Sequence, residues 1–523
     1  MSEVVEVAVI PKNGMPGETS PAISAPPFQL HYSPSMTRSP LLSSAPKTPK
    51  SPFTPPLMTP IASPMKKAIT SMQNYLEEVG HFTKLETQDD WLPITESRNG
   101  NLYYSAFHTL SSGIGAQALV LPLAFTALGW TWGILCLSLV FTWQLYTLWV
   151  LIELHESKAG IRYSRYLRLS MAAFGEKLGK ILALFPIMYL SGGTCVALIM
   201  IGGGTMKLFF QVVCADTCKI NPLSTIEWYL VFTCCAIIIA QLPNLNSIAG
   251  VSLVGAITAI GYCTLIWVLS ISRARPEGVS YKPLKAKSDI AQVCSVLNEI
   301  GIIAFAFRGH NLVLEIQGTM PSSPQKPSRK AMWGGVKFAY LAIGMCLFPL
   351  AIGGYWAYGD RIPANQGMLN ALYQYHRHDT SKVILGLTSL LVVVNSLSSF
   401  QIYAMPVFDN LEFRYTSNKN KPCPQWLRSG LRVFFGCLAF FISVAFPFLP
   451  NLAGLIGGIA LPITLAYPCL MWILIKKPQR YSAMWLINGV LGMTGMILST
   501  LIIVAAIWSI VTIGIPVHFF KPE

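Results

Sequence analysis

Two short stretches place glycine beside polar and charged residues inside otherwise apolar runs. One is Ser111-Ser112-Gly113-Ile114-Gly115-Ala116-Gln117, followed by Leu121-Pro122. The other is Phe305-Ala306-Phe307-Arg308-Gly309-His310-Asn311, followed by Glu315. Such residues interrupt a helix, and a bilayer tolerates an interrupted helix only where the freed backbone groups line a cavity. A half-helix N-terminus then offers N–H groups and a positive dipole end to an anion, while unwound carbonyls attract a cation. A zwitterion fits such a pair. The expected substrate site comprises Ser112, Gly113, Ile114, Gly115, Ala116 and Gln117 on one break, with Phe305, Phe307, Arg308 and Gly309 on the other. The first would hold a carboxylate and the second an ammonium. Gly113 and Gly115 also suit a purely structural reading, as small residues that let helices approach closely.

Ionisable groups at membrane depth are costly, so each is a functional candidate. Arg308 keeps its proton and has three readings: a partner for Glu315, a direct partner for a substrate carboxylate, or a side chain reaching a watery vestibule. His310 titrates near neutrality and Glu315 is a buried carboxyl, so these two are the expected proton-coupling residues. A satisfied hydrogen-bonding histidine and a fixed Arg308–Glu315 pair are the structural alternatives. Glu299, near the other end of the same segment, reads as a hydrated carboxylate. Asn395 lies in a polar group with Ser396, Ser398, Ser399 and Gln401. It either completes the site wall or bonds helix to helix.

The elements that must position these residues follow from hydropathy. The chain has 523 residues, 53% of them apolar and only 12% charged, with a mean hydropathy of +0.50. Charge at about half the usual soluble share points to lipid as the solvent for most of the chain. The formal charge of +15 therefore reads as loop charge beside anionic lipid, not as a nucleic-acid footprint. Eleven spans are expected, near 102–128, 131–153, 179–210, 227–243, 246–271, 293–318, 332–357, 382–406, 430–447, 450–474 and 486–511, each near the roughly 20 residues that cross a bilayer. The two interrupted stretches fall in spans 1 and 6, the first members of two successive five-span units. Breaks at corresponding places in two halves point to an inverted-repeat transporter. The expected fold is thus all-α and polytopic, a 5+5 repeat with broken helices 1 and 6.

Residues 1–98 read as a disordered tail rich in Pro, Ser and Thr, with no span and no signal peptide. It carries eight Ser-Pro or Thr-Pro steps between Ser20 and Ser63, which would suit a proline-directed kinase. Ile69, Met72, Leu76 and Val79 suggest a short amphipathic helix. The transporter domain covers 99–515, and 516–523 form a short C-terminus. Lys and Arg cluster after spans 2, 6, 8 and 10, which sets the N-terminus in the cytoplasm and the C-terminus outside. The basic stretch from Arg273 to Lys287 opposes that bias. Most cysteines lie in apolar runs; Cys214 and Cys218 share a polar connection that would allow a local disulfide. Enzyme, cofactor and metal motifs are wanting, which makes an enzyme the least expected class.

Ser105-Ala106-Phe107-His108, the Gly-x-Gly before Leu121-Pro122 and especially Phe305 to Gln317 resemble the plant amino acid/auxin permease family, lysine/histidine transporter-like branch. Tyr355 to Gly359 and Tyr403 to Asp409 are similar as well, and the resemblance spans roughly residues 100–515. It implies a LeuT-like fold of eleven spans, proton-coupled uptake of amino acids and a plasma-membrane address, an endomembrane being the other setting. It also implies that Gly113, Gly115, Gly309, His310, Asn311 and Glu315 line or support the site. Arg308 and Gln117 depart from the family pattern. The leading expectation is a secondary active importer of amino acids with protons, working by alternating access. Two rivals remain: an amino-acid sensor that transports little, and a carrier of auxin-like aromatic acids.

Overall fold

The computed structural model describes residues 89–523 except 158–160, 215–222, 284–287, 308, 324, 364–366, 448–452, 514–518 and 522–523. The expected tail disorder up to residue 88, its phosphorylation steps and the helix over 69–79 lie outside the described residues. Regular structure among the described residues is helical, apart from one isolated bridge between Glu156 and Arg162.

The order is α1 (Leu102–Gly113), a 3-10 segment (Ala116–Ala124), α2 (Phe125–Leu154), α3 (Tyr166–Phe174), α4 (Glu176–Cys214), α5 (Thr225–Ile239) and α6 (Ala249–Ser272). A second set follows: α7 (Asp289–Ala306), α8 (His310–Gly318), α9 (Ser328–Tyr358), α10 (Gly367–His376), α11 (Lys382–Lys419), α12 (Gln425–Ala445) and α13 (Ala453–Leu461). A π turn (Pro462–Ala466) joins α13 to α14 (Tyr467–Lys476), and α15 (Ala483–Ile513) closes the chain.

The two sets run in the same order, and most members match in length. Each opens with a broken helix. A long helix follows, of 30 residues in α2 and 31 in α9. Next comes a short one of 9 in α3 and 10 in α10, then one of 39 in α4 and 38 in α11. The last members have 24 residues each, α6 and the α13–α14 run. This is the 5+5 arrangement, with α15 added.

Nine runs among the described residues are long and apolar enough to cross a membrane. The run Gln117–Leu154 turns back at Gly129, whose φ of 69° and ψ of −175° suit a residue without Cβ. Its first part completes the broken helix begun by α1. Helix α5 is shorter, at 15 residues. Each of the eleven expected spans overlaps a helical segment, although length and composition alone select nine. Large apolar side chains such as Ile181 (72% exposed) and Val383 (78%) point outward, a surface that suits lipid and would be unfavourable in water.

Local chemistry sets the helix ends. Asn101 accepts from Tyr104 N–H at 3.0 Å to start α1, and Ser224 with Glu227 forms a capping box on α5. The C-terminal carbonyls of helices lack intrahelical donors. Arg432 supplies them after α5, donating to the Ala240, Leu242 and Pro243 carbonyls. Helix α11 lies along α4 and α6, α1 along α9 and α6, and α7 against α13 and α15. The glycines at Gly202 and Gly203 make room for Phe232 and Tyr229, and Gly457 for the Gly301 backbone. Gly192 and Gly193 meet nothing within 4 Å.

Candidate functional site

Helix α1 stops at Gly113, and Ile114 (φ −108°, ψ 108°) and Gly115 (φ −132°, ψ −173°) are extended before the 3-10 segment starts. Helix α7 stops at Ala306, Phe307 is extended (φ −98°, ψ 90°), and Gly309 starts α8 with φ 109°. Each break frees carbonyls that need donors. On the first, Ser399 Oγ donates to Ser111 O at 3.0 Å, Tyr403 OH to Ser112 O at 2.8 Å and Tyr262 OH to Gly115 O at 3.0 Å. On the second, two glutamines serve: Gln144 Nε2 reaches Ala304 O at 3.1 Å and Gln117 Nε2 reaches Ala306 O at 3.4 Å.

The breaks face each other. A side-chain carbon placed on Gly309 would lie 3.1 Å from Ser112 Oγ, and Gln117 spans from one break to the other. Beside them lies a small cavity lined in part by Phe305, Phe307, Gly309, Asn311, Tyr403 and Thr464. Of the expected substrate residues, Phe305, Phe307 and Gly309 line it. Ser112, Gly113, Ile114, Gly115 and Gln117 form the opposing break, where Gly113 also makes room for Ile343. Arg308 and the Ala116 side chain lie outside what the structure describes. The Asn395 amide donates to Gly255 O at 3.0 Å, a helix-to-helix bond.

His310 is fully buried and faces α2. Its Nε2 lies 3.0 Å from Thr147 Oγ1 and 3.1 Å from the Gln144 carbonyl; a carbonyl only accepts, so Nε2 carries the proton in that contact. Glu315 is buried, and its charged neighbours are Asp409 and Arg165.

Those two residues belong to a cluster that sequence reasoning missed. Arg165 grips Asp409 with two bonds, Nε to Oδ2 at 2.5 Å and Nη2 to Oδ1 at 3.0 Å, and reaches Asp89 at 2.8 Å. Arg168 also pairs with Asp89. Alongside, Arg428 bonds Glu412 at 2.9 Å and Glu96 at 3.1 Å. Although burial opposes it, Asp409 and then Asp89 raise the proton affinity of Arg165. The cluster ties residues 89–98, grouped with the tail by composition, beneath α3, α11 and α12; Leu92 and Ile94 are buried there. Its signals were present but dispersed: Arg165 and Arg168 read as loop charge, and Asp409 only as part of a familiar motif.

The model of the transmembrane amino acid transporter protein family matches residues 98–512. The chain belongs to that family. It is similar to lysine histidine transporter-like 8 of Arabidopsis thaliana, 56% identical over 522 residues and covering 100% of both chains. Lysine histidine transporter-like 7 of the same plant is 47% identical over 83% of this chain and 90% of its own. Among solved structures, a nucleobase-cation-symport-1 family transporter closed on bromovinylhydantoin has a TM-score of 0.53 at 10% identity, over 81% of this chain and 96% of that one. MhsT in complex with L-phenylalanine has 0.51 at 12%, over 78% and 99%. These likenesses show the fold, LeuT-like with broken helices 1 and 6. The chain is therefore a multi-pass membrane protein of an amino acid transporter family.

Proposed function

We propose that this chain is a carrier rather than an enzyme, importing amino acids with protons by alternating access. The observation that carries the reading is the meeting of the two breaks, with Ser112 beside Gly309 and a cavity at the second break. A substrate carboxylate would lie towards Gly113 to Gln117. Its ammonium would compete with Gln117 for the Ala306 carbonyl. Glu315, buried beside Asp409 and Arg165, and His310 are the candidate proton carriers. Among the described residues the cavity lining has no carboxylate and is rich in rings, which favours neutral substrates with apolar side chains over lysine.

The plasma membrane is the proposed site, with residues 89–98 on the cytoplasmic face. Cys214 is disulfide-bonded, and this orientation sets it on the oxidising side. Uptake of labelled amino acids into proteoliposomes, with and without an inward proton gradient, tests the reading. Accumulation only with the gradient is expected, and gradient-independent uptake would remove the coupling.

A further inference from the structure

Glu299 stands apart from every charge used so far. It lies on α7, about 10 Å along the axis from Ala306 at the usual helical rise, towards the end of the bundle away from residues 89–98. Its position shares a helical face with Ile303 and Ala306, both fully buried, so that face runs down to the carbonyl Gln117 holds. The residue is half-buried, yet its Oε2 is sealed from solvent and has no hydrogen-bond partner among the described residues.

The elements packed against α7 are α13, α15, the 3-10 segment and α2. The first three carry no ionisable residue, and α2 carries only Cys136, Tyr146 and Glu153. On α7 itself only Asp289 and Cys294 accompany it. No described cation answers this carboxyl. Its neighbour Asn298 is engaged with Ser509 at 2.9 Å. A carboxylate with one oxygen sealed and unpaired is costly to keep charged, and binding a proton there lowers that cost.

We propose that Glu299 is a proton-binding site on the outer approach to the cavity, loaded before the substrate site turns inward. The proposal rests on the proton-coupled reading and adds a second carboxyl to it, on the opposite side of the span 6 break from Glu315. Infrared pH-difference spectra of the purified full-length protein test it without any transport. A protonated-carboxyl band that is lost in Glu299→Gln and shifted in Glu299→Asp is expected. A band set unchanged in both variants overturns the proposal, whatever transport does. In proteoliposomes, Glu299→Gln is expected to lose most of the dependence of uptake on external pH, while Glu299→Asp retains it. Gradient-driven uptake by the parent chain with no Glu299 band would leave coupling standing and this site refuted. Gradient-independent uptake with the band present would refute the coupling alone.

Discussion

The two ends of the bundle are closed by different chemistry. At the end that carries residues 89–98, ion pairs join three separate parts of the chain: Asp89 and Glu96, Arg165 and Arg168, and Asp409, Glu412 and Arg428. At the other end rings do the closing. Trp130 packs on Tyr355 with centroids 4.8 Å apart and on Tyr281 at 5.7 Å, Tyr281 OH donates to Trp356 O at 2.6 Å, and Arg275 lies 3.7 Å above the Trp356 ring. Charge pairs are directional and respond to salt and pH, whereas ring packing is short-ranged and largely indifferent to both. One end is thus a set of clips, the other a plug.

The largest effect is expected from Arg165→Ala, which strips Asp409 of a bidentate partner in a buried site. A loss of about 3–5 kcal/mol should appear as a lower melting temperature, with Arg165→Lys recovering only part because the fork is gone. Melting unchanged by Arg165→Ala would show that the clips contribute nothing. Trp130→Ala should cost less, about 2 kcal/mol for a half-buried ring, and its effect should not vary with ionic strength.

Acid separates the ends further. Burial, then the nearby Arg162 and Arg98, hold His155 well below the usual histidine value of 6.5. The unfolded chain therefore takes up the proton first as pH falls. The stability due to a neutral His155 is complete above about pH 6.5 and is lost below it, by up to about 1.4 kcal/mol per pH unit. Melting followed across pH should show that decline, and His155→Asn should flatten it. The smallest effect is expected at the plug. Arg275→Ala removes an exposed cation–π contact of about 0.5–1 kcal/mol, and a change beyond that would give this arginine a larger part than its geometry supports.

Hydropathy and glycine placement made the repeat legible, because both act along the chain: Gly113, Gly115 and Gly309 mark the breaks where the backbone leaves the helix. Side-chain destinations were less legible. Asn395 read equally as wall or as bond until Gly255 O supplied the partner. Gln144 and Thr147 drew no notice in an apolar run, yet they meet His310 and Ala304. The clips escaped because Asp89, Arg165 and Asp409 are separated by 76 and 244 positions, so nothing local pairs them. Asp409 still gave a hint: a carboxylate near the end of a long apolar helix needs a cation.

The largely matched helix lengths of the two halves bear on energy as well as shape. If exchanging the roles of two equal frames interconverts the end states, backbone packing contributes nearly the same to each, and the frame itself imposes almost no bias. What separates the states is then the difference between clips and plug, a matter of a few side chains. A bias of that size is small enough for modest driving forces to reverse. One proton moved down a single pH unit supplies about 1.4 kcal/mol, comparable with a single contact at either end.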